Sequence, residues 1–211
     1  MRSASLIGGG LLAMALVACR GEDRGARTTE TAAGSVAESA VARDPQLQAL
    51  DHEVDRLEGL VLVGGTATPA RRKEFQDDQR RWAADREACA KRPDARDCLV
   101  SSYARQVHEI RRASPHARID DKRGISRGPY EARCTAVASV VEVTFIDTRP
   151  GLLFLESADK SALLTQVPSA SGARYERVEG DERVVFWTQG DEATFERPDS
   201  PPSRCTLTQV R

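Results

Sequence analysis

Val141-Glu-Val-Thr-Phe145 alternates apolar and polar side chains, and from Tyr130 onward the chain keeps this two-residue period. Leu152 to Leu155 is a short apolar run. Ala162 to Val167, Arg174 to Val178, Arg183 to Thr188, Ala193 to Arg197 and Cys205 to Val210 follow. Turn signals separate these segments at Asp147-Thr-Arg-Pro-Gly151, Ser157-Ala-Asp-Lys160, Glu179-Gly-Asp181, Gly190-Asp191 and Pro198 to Pro202. Many short strands with regular punctuation predict an antiparallel barrel or sandwich.

Upstream the period is helical. Asp44 stands as an N-cap before Pro45, and Leu47, Leu50, Val54, Leu57 and Val61 recur at three- and four-residue spacing. Gly64-Gly65 ends that helix. Thr68-Pro69 repeats the start signal, with Phe75, Trp82 and Cys89 along one face. A third helix after Pro93 carries Leu99, Tyr103, Val107 and Ile110. Cys89 and Cys98 on one continuous helix would stand about 13.5 Å apart. A disulfide needs Cα atoms within roughly 7 Å, so a bridge requires a turn at Lys91-Arg92-Pro93-Asp94. The expected product is a small antiparallel helical unit, stapled at one corner.

Composition divides the chain further. Residues 20–43 are Arg, Glu, Thr, Ala, Ser and Gly with almost no large apolar group, and read as a flexible tether. Ser114 to Pro129 is polar and without periodicity, and reads as a linker lacking an apolar anchor. At the N-terminus, Met1-Arg2 precedes an apolar stretch, Leu6 to Val17, too short to span a bilayer comfortably. It ends in Leu16-Val17-Ala18-Cys19, which resembles a bacterial lipobox, so Cys19 is the expected lipidation site. Arg20, in place of Asp, favours outer-membrane sorting with the protein facing the periplasm. The expected organisation is α+β with two domains: a signal peptide (1–18), the tether (19–43), a helical domain (44–113), a linker (114–129) and a β domain (130–211).

Setting Cys19 aside leaves Cys89, Cys98, Cys134 and Cys205, an even number in an exported chain. Of the three connectivities, Cys89–Cys98 and Cys134–Cys205 put one bridge in each compositional region. No Cys-x-x-Cys occurs, so a zinc knuckle or a thioredoxin-like redox site has little support.

Two segments of the β region carry a family likeness: Val167-Pro-Ser-Ala-Ser171-Gly-Ala-Arg-Tyr175 and Phe186-Trp-Thr-Gln189-Gly-Asp-Glu-Ala193. Bracketed by Cys134 and Cys205, they resemble the signature stretches of the bacterial MliC/PliC inhibitors of C-type lysozyme. The likeness implies a small closed barrel of about eight strands, with a Cys134–Cys205 bridge tying the first strand to the last. It also implies a lysozyme as the protein partner. In the family a serine of the Ser-Gly-x-x-Tyr stretch and a lysine of a Thr-Lys-Gly stretch enter the catalytic groove, where two carboxyl groups flank the scissile bond. Ser171, Gly172, Arg174, Tyr175, Gln189 and Gly190 are therefore the expected lysozyme-contacting residues. Gln189 stands where the family has lysine; it can donate two hydrogen bonds but brings no charge. Arg174 is a candidate to supply that charge. Trp82-Ala-Ala-Asp-Arg-Glu-Ala-Cys89 with Cys98 to Tyr103 looks like the LprI-type helical domain, a group also described as lysozyme inhibitors. Phe75, Trp82 and Tyr103 themselves read best as core.

Charge and motifs exclude other classes. The chain is near neutral, with formal net charge −1. Tyr130 to Arg211 has nine Arg and Lys against thirteen Asp and Glu, net −4, which suits a basic partner. No basic patch with interleaved aromatics points to nucleic acid. His52, His108 and His116 show no metal-ligand spacing and no Gly-x-Ser-x-Gly elbow occurs, so neither an enzyme, a cofactor nor a metal is expected. The rival reading is a structural or glycan-binding envelope lipoprotein. A glycan site would show a concave groove lined with Trp and Tyr, whereas a plug would put Ser171 and Gln189 on one exposed face.

Overall fold

The computed structural model describes residues 35–63, 68–119, 123–158, 160–198 and 200–210. The expected signal peptide, Cys19, Gly64-Gly65 and the tether up to residue 34 lie outside these residues. The described residues fall within one compact unit, Gly34–Arg211.

Helices come first: α1 (Val36–Val41), α2 (Pro45–Val63), α3 (Pro69–Cys89) and α4 (Ala95–Ala113). The end of the expected tether is helical, a correction with a local cause. Ser35 and Glu38 form a reciprocal capping box, and Ala37 and Val41 are buried. The expected start signals operate as read. Asp44 Oδ1 accepts from the amides of Gln46 (2.8 Å) and Leu47 (3.2 Å), and Thr68 caps α3 ahead of Pro69. Leu47, Leu50, Val54 and Leu57 of α2 pack against Leu99, Tyr103, Val107 and Ile110 of α4. α3 lies outside them; it has no fully buried residue, but Phe75, Trp82 and Cys89 face the cluster. The Trp82 ring meets Tyr103 edge-on at 5.2 Å, and Cys89 is bonded to Cys98 across the turn. The core reading of Phe75, Trp82 and Tyr103 holds.

Eight strands follow as a meander: β1 (Ser126–Cys134), β2 (Val141–Ile146), β3 (Leu152–Glu156), β4 (Ser161–Val167), β5 (Ala173–Glu179), β6 (Glu182–Gln189), β7 (Glu192–Arg197) and β8 (Ser200–Gln209). Each pairs antiparallel with the next, and β1 pairs with β8 to close a barrel. Cys134 and Cys205 are register partners in that closing ladder and form the second disulfide. Val143, Phe145, Leu153, Leu155, Leu164, Tyr175, Phe186 and Phe195 fill the interior.

The outer face of β2 and β3 is buried as well. Ile146, Leu152 and Phe154 alternate with the interior residues and join the helical cluster under α4. The Leu152 to Leu155 run is thus apolar because both faces of β3 are covered. The stretch expected as a linker takes part in this contact. It contains one tight helical turn, Pro115–Arg118, whose Ala117 is fully buried, and β1 begins within it at Ser126. Gln46 reaches across to Thr148 Oγ1 and the Pro150 carbonyl, each at 3.0 Å. Buried Arg111 donates from Nε to the Gly128 carbonyl at 2.6 Å, and Glu53 accepts from Ile125 N and the Ser126 hydroxyl.

Truncating a buried Phe typically costs about 3–5 kcal/mol. Phe154→Ala is expected to cost that much in chemical denaturation of the whole unit, although Phe154 lies outside the barrel interior. Val178→Ala, at a residue 65% exposed on β5, should stay within about 0.5 kcal/mol of wild type.

Candidate functional site

One end of the barrel gathers the β2–β3, β4–β5 and β6–β7 connections. Ser171 and Gly172 end the β4–β5 loop; Gln189 and Gly190 sit at the β6–β7 turn. Because β5 pairs with β6, Ala173 lies opposite Thr188 and the two tips become neighbours. All four residues are exposed. The Gln189 amide donates from Nε2 to Ser171 Oγ at 3.1 Å, so the two positions singled out in the sequence form one tip.

The loop is held from beneath by groups the sequence reading missed. Trp187 Nε1 donates to the Ser171 carbonyl at 2.8 Å, and Ser169 Oγ donates to the carbonyls of Ser171 (3.0 Å) and Gly172 (3.1 Å). The signal for Trp187 was present. On a strand whose Phe186 faces inward, the next residue must face outward beside the partner strand's Arg174. Gly172 has φ +64°, and a Cβ there would collide with the Thr188 carbonyl oxygen and meet Gln189 Cγ at 2.9 Å. Only glycine permits both the left-handed turn and the close approach.

Two expected contact residues have other positions. Tyr175 is 3% exposed and points into the barrel, its ring 5.7 Å from Phe145; burial raises its phenol pKa. Strand alternation forces this, since Arg174 faces out and its neighbour must face in. Tyr175 therefore supports the tip from the core and is not a contact surface. Arg174 is outward but committed: its Nε donates to Glu176 Oε1 at 2.5 Å, and Arg183 shares the same carboxylate at 2.8 Å. Those hydrogen bonds, Arg183's first, hold the Glu176 carboxyl below the usual range.

Beside the tip, a shallow groove of about 530 Å³ runs over the outer face of β6, β7, β8 and β1, lined by Arg133, Trp187, Gln189, Glu192, Arg204 and Thr206 among others. Trp187 is its one aromatic lining residue.

Residues 133–204 match the family model of the membrane-bound lysozyme-inhibitor of c-type lysozyme, MliC. The matched segment runs from the end of β1 into β8 and does not extend to the helices. No curated protein and no solved structure matches the chain.

The two tryptophan indole N–H groups report separately on the site, Trp187 through Ser171 and Trp82 through Ser102 Oγ at 3.0 Å. Gly172→Ala is expected to shift the Trp187 indole resonance and speed its solvent exchange, leaving the Trp82 signal in place. Forcing a Cβ into a positive-φ position should also cost more than about 1 kcal/mol. An unchanged Trp187 signal would mean that the loop tolerates the collision elsewhere.

Proposed function

We propose that this chain is a lipid-anchored envelope protein that inhibits C-type lysozyme by presenting the Ser171–Gln189 tip to the enzyme's catalytic groove. The observation that carries this reading is the hydrogen bond between Gln189 Nε2 and Ser171 Oγ on an exposed rim. Ser171 Oγ accepts from Gln189, which leaves its own hydroxyl hydrogen to donate outward. Gln189 keeps a second amide hydrogen for the same purpose. Two donors side by side suit a cleft whose working groups are two carboxyls. Trp187, Ser169 and Gly172 hold the tip before binding, so little ordering entropy remains to be lost on association. Nothing in this scheme requires chemistry by the chain itself; it acts as an antagonist.

The family's printed description, membrane-bound lysozyme-inhibitor of c-type lysozyme, supports the partner. The net charge of −4 from Tyr130 to Arg211 favours encounter with a basic enzyme. The glycan-binding alternative is weaker, because the groove beside the tip offers Trp187 and then mainly charged and hydroxyl side chains.

Inhibition constants against a C-type lysozyme test the tip. A hydrogen bond to a charged group is worth roughly 1.5–3 kcal/mol, so Ser171→Ala should weaken inhibition by about ten- to a hundredfold. Gln189→Lys keeps a donor for Ser171 and adds an ammonium, so it should tighten binding, most at low salt. Inhibition by wild type that Ser171→Ala leaves unchanged would remove the tip from the mechanism.

Anchoring rests on Leu16-Val17-Ala18-Cys19, and no described helix is long and apolar enough to cross a membrane. With the thiol gone, Cys19→Ser should lose acyl labelling and leave the membrane fraction or remain unprocessed. Persistent labelling with unchanged fractionation would overturn the anchor.

A further inference from the structure

Between α4 and the outer face of β2 and β3 lies a group of side chains that the inhibitory tip does not use. His108 on α4 is fully buried; its Nε2 lies 3.3 Å from Glu156 Oε2 on β3 and 3.8 Å from Glu142 Oε2 on β2. The three candidate ligand atoms all lie within 4.8 Å of one another. In a tetrahedral zinc shell with bonds near 2.1 Å, neighbouring donor atoms stand about 3.4 Å apart, so only a small contraction separates this cluster from a coordination shell.

Two further observations point to a cation. Glu142 Oε2 is shut off from solvent and has no hydrogen-bond partner, a costly state for a carboxylate oxygen that an ion would relieve. On the other side of the imidazole, Nδ1 lies 2.8 Å from Thr144 Oγ1; with the proton on Nδ1 that contact orients the ring and leaves the Nε2 lone pair for a metal, in place of the hydrogen bond Nε2 otherwise makes with Glu156. The charged neighbours are Arg105 and Arg112 of α4, with Glu109 of α4 and Glu131 of β1 facing Glu142. Arg112 reaches Glu156 at 3.5 Å, but its side chain is half exposed and can turn outward.

We propose that His108 Nε2, Glu142 Oε2 and Glu156 Oε2 bind one zinc-class divalent ion that clamps α4 to β2 and β3. One imidazole and two carboxylates with a small ligand count suit zinc over calcium, which takes more oxygen ligands. The Glu142 and Glu156 side chains are 30% and 25% exposed although Glu142 Oε2 itself is covered, so a water entering with the ion can complete the shell.

The test uses the full chain, stripped of metal by chelator and titrated with zinc chloride by calorimetry and thermal unfolding. Cobalt chloride serves as a spectroscopic probe. The expected result is one zinc per chain, a raised unfolding midpoint and the visible absorption of tetrahedral cobalt. Glu142→Gln is the deciding variant, because the wild-type oxygen has no partner to lose. It should fold as well as wild type without metal, bind zinc at least tenfold more weakly, and inhibit lysozyme to the wild-type degree. No zinc binding by wild type, zinc binding unchanged in Glu142→Gln, or calcium binding as tight as zinc would each overturn the site.

Discussion

Tyr130 to Cys134 pairs with Cys205 to Gln209, and that ladder turns a meander of strands into a barrel without open edges. The Cys134–Cys205 bridge spans 71 residues, and in the chain-entropy model a loop of that length contributes roughly 4 kcal/mol by restricting the unfolded chain. Closure does more than stabilise. It sets the parity of every strand, and so decides which side chains fill the interior, which meet the helices and which stand on the rim.

On β2 and β3 that parity turns Thr144, Ile146, Leu152 and Phe154 outward, where α4 and its neighbours cover them. The helices therefore rest on a sheet face that would otherwise be an apolar patch. Their junction is also polar at its edges: Gln46, Glu53, His108 and Arg111 each bond across it. Buried polar groups of this kind hold one relative placement of helix and barrel, since any slip leaves donors and acceptors unmet. The proposed ion would act at this same junction, joining residues that only the docked arrangement brings together.

On the rim, the same register sets Ser171 beside Gln189 and puts Trp187 beneath the Ser171 carbonyl. A tip built from two hairpin ends gains its rigidity from the strands that support it. Gln189, where the resembling family has lysine, braces Ser171 through its side-chain amide. Arg174 shares the Glu176 carboxylate with Arg183 in an ion-paired cluster on the strand face.

Local rules in the sequence determined the elements. Period and capping marked α2, α3 and α4, alternation and turn residues marked the strands, and the cysteine positions required the turn before α4. Ser171 and Gln189 were legible as a pair through the family likeness. What the sequence did not reveal depends on contacts between elements distant along the chain. Tyr175 was misplaced as a contact because its neighbour, not its own type, decides which way it faces. The stretch 114–129 looked like a linker because its anchors, Ala117, Ile125 and the Ser126 hydroxyl, are too few and too irregularly spaced to leave a hydrophobic period. His108, Glu142 and Glu156 carry no ligand spacing because they come from one helix and two strands, and only docking α4 onto the outer face of the barrel brings their donor atoms together.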